Sequence, residues 1–345
     1  MRRLALGLTA ALVSVGTLGA CSSDEDTASV TYAGFGGTYE ESIKNNLFDP
    51  YSEETGVEVL YDSTGSNVAK LISMSESGSM NLDLIDAEDS SLAQFIAADI
   101  LEPIETSDFT GDLANPEAVT EYSVPWYTFS RNLFWNAEQV PQGLNSWSDL
   151  FDTENNPGKR GFVSLPWGTL EGALVADGVA VEDLYPLDLD RAFAKLDEIR
   201  DDAIFFSSNG DLQNAISQGE IAMGYGNLAR IKSVAESGAV PLEYTWVGAV
   251  LSTQQLVIPA GAPNKDDALK AIEYSMKPET QEAILADLGY TPSLASVLDS
   301  LDEDELSDLP GTQQTASDET FSIDIDWWAE NGDEALRQWQ DWLNE

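Results

Sequence analysis

The chain has 345 residues, 43% of them hydrophobic, and a formal net charge of −45 from 61 acidic against 16 basic side chains. That imbalance excludes nucleic acid as a partner. The complete lack of histidine and the single cysteine exclude Ser-His-Asp and Cys-His catalysis, most zinc sites and any disulfide framework.

At the start, Arg2 and Arg3 precede an apolar run, residues 4–18, that is too short to span a bilayer and ends in Leu18-Gly19-Ala20-Cys21. This is the layout of a cleavable secretory leader. Its Leu-small-small-Cys ending resembles the bacterial lipoprotein signal, which implies that residues 1–20 are removed and that Cys21 carries a lipid anchor to the membrane. The polar stretch 21–29 is then expected to be a flexible tether. About 325 residues remain, more than one hydrophobic core usually takes, which predicts two lobes. Carboxylates are spread along all of it and read as a solvated acidic surface suited to a salty habitat, with steering of a cation as a secondary role.

Short runs rich in β-branched residues at 30–35, 57–61, 82–85, 161–165, 221–225 and 255–259 predict strands. Between them, 188–203 reads as a helix with Leu189, Phe193, Leu196 and Ile199 on one face and Asp188 as its cap. Asn264 and Asp267 open a helix over 267–276, and Pro278 starts another that stops at Gly289. An acidic, turn-rich connector at 299–314 leads to a last helix, 333–343, whose apolar face is Leu336, Trp339 and Trp342. The alternation predicts an α/β fold with mixed, mostly parallel sheets flanked by helices.

Chemistry is conspicuous by what is missing. Gly34-Phe35-Gly36-Gly37-Thr38-Tyr39 lacks the third glycine of a dinucleotide fingerprint, and no Gly-Lys-Ser/Thr phosphate loop exists. Asp302-Glu303-Asp304-Glu305 lacks the glycine and the terminal glutamate of a calcium loop and reads as a solvated face. A glycoside hydrolase would need two carboxylates at catalytic separation, and nothing singles out a pair. The expectation is a protein that is not an enzyme and uses no cofactor or metal, binding a small molecule where strand ends face a crevice.

Six motifs in order then resemble one family. They are Tyr32 to Tyr39 with the run from Phe48 to Val59 that contains Thr55-Gly56; Leu82-Asp83-Leu84-Ile85; Glu121-Tyr122-Ser123-Val124-Pro125-Trp126; Ser146-Trp147-Ser148-Asp149-Leu150-Phe151; Gln218 to Tyr225; and Val257-Ile258-Pro259 leading to Gly289-Tyr290-Thr291-Pro292. Together they resemble the substrate-binding components of bacterial ABC importers, the spermidine/putrescine-binding branch in particular. The resemblance implies a monomeric, two-lobe periplasmic-binding-protein fold of type II, extracytoplasmic and docking on a permease driven by an ATPase. Residues 30–125 with 255–300 would form one lobe and 126–254 with 301–345 the other.

The same resemblance implies a polyamine in the cleft and places Tyr39, Tyr225 and Tyr290 at aromatic contact positions. It also implies candidate polar contacts. Trp167 and Glu171 follow the fourth strand, Asp86 and Glu88 end the third, and Gly36, Gly37 and Thr38 offer backbone N–H groups at a strand-to-helix turn. Three positions depart from the family: Ser90 stands where a tyrosine is usual, and Ser252 and Gln254 stand for a tryptophan-aspartate pair. Losing that aspartate removes a partner for an ammonium group, so an amino-acid-derived, opine-like or sugar solute is the alternative. A ferric-ion binder would show neighbouring tyrosines on one strand, which are not seen.

Overall fold

The computed structural model describes residues 28–65, 67–105, 109 and 111–345. The leader, Cys21 and the tether up to residue 27 lie outside the described residues, and Ser29 already belongs to the first strand.

Eleven strands are found among the described residues: β1 Ser29–Ala33, β2 Glu58–Asp62, β3 Leu84–Glu88, β4 Ser123–Asn136, β5 Arg160–Val163, β6 Ala203–Phe206, β7 Met223–Asn227, β8 Leu242–Tyr244, β9 Val250–Val257, β10 Thr291–Pro292 and β11 Phe321–Ser322. Their order along one hydrogen-bonded path is β2-β1-β3-β9-β4-β7-β5-β6. The outer strands pair in parallel, β1 with β2 and β3, β5 with β6 and β7, as expected of strands linked by crossover helices. At the centre β4 and β9 run antiparallel. The first half of β4 pairs with β9 and β10, and its second half with β7 and β8, so one 14-residue strand belongs to both wings.

Each wing packs its own core. Val30, Tyr32, Leu84, Val124, Leu256 and the helix residues Ile43, Leu47 and Ile272 form one; Leu133, Trp147, Phe162, Leu170, Leu196 and Trp339 form another. Two glycines permit close approaches between elements. A Cβ on Gly224 would lie 2.2 Å from the Gly161 carbonyl across β7 and β5, and one on Gly172 would lie 2.4 Å from the Trp147 ring.

Several predicted elements need correction. Only the first residues of β4 were expected, as a lead into a crossing, yet the strand continues through Phe129, Arg131 and Leu133. The helix predicted over 188–203 runs Leu189–Asp197, because Ala203 and Phe206 bound β6, whose pairing with β5 overrides local helical periodicity. The last helix begins two turns early, at Ile325, capped by Asp324 accepting from Trp327 N. Those turns bury Trp328, adding to the face that carries Trp339 and Trp342, whose rings stack 5.4 Å apart. Among the described residues no helix is long and apolar enough to cross a membrane.

Candidate binding cleft

Side chains alternate along a strand, so β4 sends Tyr127, Phe129 and Arg131 to one face while β9 sends Ser252 and Gln254. Register sets Tyr127 opposite Gln254 and Phe129 opposite Ser252, and sets Glu88 of β3 opposite Gln254 on its other side. Over this floor lies a cavity of about 430 Å³. Phe35, Gly36, Tyr39 and Tyr290 line it from one wing, and Asn209, Asn227 and Arg230 from the other.

A charged pair is set into the floor. Arg131 is only 6% exposed. Its Nη2 donates to Glu88 Oε1 at 2.7 Å and its Nη1 to Ser252 Oγ at 3.0 Å, while its guanidinium carbon sits 5.3 Å from the Phe129 ring centre. Burial opposes the charge, but the Glu88 carboxylate outweighs it, so the guanidinium is held protonated. Arg131 Nε has no partner among the described residues.

Aromatic rings form the wall. Tyr127 and Tyr290 stack at 4.6 Å with their planes 9° apart, and Phe129 lies 6.3 Å from Tyr290. Tyr39 is fixed from beneath: Asp86, wholly buried, accepts from Tyr39, from the Tyr32 hydroxyl at 2.9 Å and from Trp126 Nε1 at 3.4 Å. Burial lifts the Asp86 carboxyl to about 6, with these hydrogen bonds pulling the other way. Asp86 therefore serves the wall; its lone pairs are engaged by protein donors.

Further unpartnered groups lie behind the floor, outside the cavity lining. The Tyr225 hydroxyl, Trp167 Nε1 and Thr169 Oγ1 are buried and have no partner among the described residues. Tyr225 stands against the loop that bears the other two, since a Cβ on Gly168 would meet its hydroxyl at 2.5 Å. Burial pushes the Tyr225 phenol up and the Arg131 charge pulls it down, which places the two within each other's field. An unpaired buried donor costs about 1–3 kcal/mol, so the free Arg131 N–H, with the Tyr225 hydroxyl within its field, suits an acceptor-rich group such as a carboxylate.

Of the residues predicted from sequence, Tyr39, Glu88, Gln254 and Tyr290 line the cavity together, and Ser252 supports Arg131 at its floor. Glu171 does not line it. Fully buried, it accepts from Gly168 N at 2.6 Å, the Tyr185 hydroxyl at 2.7 Å and Trp328 Nε1 at 2.8 Å, tying the loop to the last helix. Ser90 is buried in the first turn of helix Asp89–Ala97 and is absent from the lining; its carbonyl accepts from Gln94. Trp167 packs edge-on against Trp328 at 5.9 Å, and Tyr225 packs on Trp147 at 4.9 Å. Of the turn, Gly36 lines the cavity, whereas Gly37, exposed at φ 76°, is absent from the lining and caps the helix that begins at Thr38.

Tyr127, Phe129, Arg131, Asn209, Asn227 and Arg230 were missed by sequence reasoning. One signal was available: in a chain with 16 basic residues, Arg131 stands in the middle of an aromatic-rich stretch, Trp126 to Trp135. A charge in the middle of a buried strand calls for a partner or a ligand.

An α/β chain with a solute-sized cleft floored by two shared strands and aromatic walls defines a class, the periplasmic-binding-protein fold. Residues 46–314 match the model of the bacterial extracellular solute-binding protein family, and the chain belongs to that family. It is similar to the gamma-aminobutyric acid-binding protein of Pseudomonas aeruginosa, 26% identical over 94% of this chain and 93% of the relative. It is also similar to the spermidine/putrescine-binding periplasmic protein of Salmonella typhimurium, 24% identical over 84% of each. Among solved structures, the binding protein AgtB of Agrobacterium tumefaciens in complex with agropinic acid superposes with a TM-score of 0.80 at 32% identity, covering 92% of this chain and 99% of AgtB. The protein is thus an extracellular solute-binding protein of an ABC transporter and not an enzyme.

Proposed function

We propose that the cleft captures a small solute bearing a carboxylate, an amino acid or a conjugate of one, for delivery to the permease. The observation that carries this reading is Arg131, buried in the floor with an unpaired N–H and with the Tyr225 hydroxyl within its field. Arg230 in the lining adds a second cation. An ammonium group on the same solute would be held by the Tyr127, Phe129 and Tyr290 faces and by Glu88 and Asp287, which also line the cavity. A polyamine, the solute expected first from the sequence, would have to lie beside two guanidinium groups. Relatives named for gamma-aminobutyric acid and for agropinic acid support the acid reading; a relative named for spermidine and putrescine supports the other.

In this reading β4 and β9 are the hinge strands between a lobe of 30–125 with 255–300 and a lobe of 126–254 with 301–345. Solute touching both lobes favours the closed form, which the permease recognises. Cys21, lipidated, would keep a monomer close to that permease and its ATPase. The testing experiment is calorimetric titration of the mature chain with amino acids, opines, sugars and polyamines. Saturable binding of a carboxylate-bearing member is expected, and binding of polyamines or neutral sugars alone would reject the reading.

A further inference from the structure

Thr253 and Gln255 alternate with Ser252 and Gln254 along β9 and so face away from the cleft. Behind them lies a second cavity of about 510 Å³. One wall is the segment before β4, with Glu117 and Glu121; the other runs from the end of β11 into the first turn of the last helix, with Asp324 and Asp326. Asp89 completes the lining carboxylates, and no lysine or arginine joins them.

Acidic lining alone would be an ordinary surface of this chain, but the deep end is different. Gln255 is 1% exposed. Its Nε2 donates weakly, to Asp89 Oδ1 at 3.4 Å and the Ala118 carbonyl at 3.3 Å, and its Oε1 has no partner among the described residues. Asp89 Oδ2 takes only the Thr253 N–H, at 2.8 Å. The floor therefore presents acceptors in excess of donors, in a carboxylate-lined space. Among the described residues no three carboxylates converge as metal ligands do. Val119, Ile323 and Ile325 give the same space an apolar side that a hydrated inorganic ion would not use.

We propose that this cavity binds a small organic ammonium ion, its N–H groups donating to Gln255 and Asp89 and its alkyl chain lying along Val119, Ile323 and Ile325. The site is separate from the solute cleft, on the opposite face of the strand that floors both. Because its walls come from either side of β9, an occupant that bridges them resists the spreading of the back face that accompanies closure of the front.

The probe is 1,4-diaminobutane, titrated calorimetrically into the mature chain at constant ionic strength. One saturable equivalent is expected, weakened at least tenfold by Gln255→Met and at least fivefold by the exposed double change Glu121→Gln with Asp326→Asn, and unchanged by Tyr290→Ala in the cleft. Absence of saturable binding overturns the proposal, as does indifference to both back-face variants. Loss of binding in Tyr290→Ala would put the diamine in the cleft, which overturns this site and counts against the carboxylate reading too; loss in the back-face variants leaves that reading untouched. An equal isotherm with magnesium chloride at matched ionic strength would mean diffuse charge and also refutes an ammonium site.

Discussion

Replacing Arg131 by methionine keeps most of the side-chain volume and removes the charge. Two effects separate cleanly. For a carboxylate solute, the lost charge-assisted hydrogen bonds are worth about 2–3 kcal/mol, which is roughly 30- to 150-fold in affinity. For the fold, Glu88 loses its cation while its side chain is only 18% exposed, so the penalty for stranding it approaches the lower end of the buried-pair range, about 3 kcal/mol. At about 2 °C per kcal/mol for a chain of this size, the melting temperature should fall by about 6 °C. The double variant Arg131→Met with Glu88→Gln leaves no stranded charge and should recover most of that loss without recovering affinity. Calorimetric titration with the tightest-binding acid of the solute panel, alongside thermal unfolding, reads both. Unchanged acid binding in Arg131→Met would refute the reasoning, and so would a double variant that regains affinity together with stability.

Other changes probe the surroundings. Tyr290→Ala removes the ring stacked on Tyr127 and should weaken solute binding about tenfold with a melting temperature lowered by only a few degrees, as seen by titration and calorimetry. Glu171→Gln should lower stability by about 1–3 kcal/mol, because one of its acceptor oxygens becomes a second donor facing Tyr185, Trp328 or Gly168, and denaturant unfolding measures it. Gly168→Ala, at φ 77° and with its methyl 2.5 Å from the Tyr225 hydroxyl, should cost both stability and affinity by displacing the donor loop. Asp89, raised to about 7 by burial, binds its proton more tightly folded than unfolded between roughly pH 4 and pH 7. Its contribution therefore falls as pH rises through that window and is flat above it, by up to about 4 kcal/mol. Asp89→Asn, which keeps an acceptor for Thr253 N–H, should gain stability over the parent progressively from pH 4 to pH 7; a constant difference across that range would refute the assignment.

Much of the architecture was legible because it is written in local pattern. β-branched runs located β1, β2, β3, β5 and β7 to within about three residues, though not β6, and capping signals found the helices over 265–275 and 278–288 to within about two residues. β4 was not legible beyond its start: it is buried along most of its length in the centre of the sheet, and Arg131 and Asn132 among its aromatic residues mask a strand. The candidate site divided in the same way. Tyr39, Tyr290 and Gln254 sit beside glycines or in motifs that fix their position along the chain. Arg131 and Glu88 are 43 residues apart, and only the antiparallel arrangement of β3, β9 and β4 brings them together. Glu171 looked like a cleft carboxylate from its place after β5, but three donors converge on it from segments whose proximity no linear pattern records.

The reading of Arg131 as the group that recognises the solute is tested most directly by native mass spectrometry of the mature protein after exchange against an equimolar pool of amino acids, opines, sugars and polyamines. The retained solute should carry a carboxylate, and its adduct should vanish in Arg131→Met. A polyamine or neutral sugar retained equally by both proteins would contradict it.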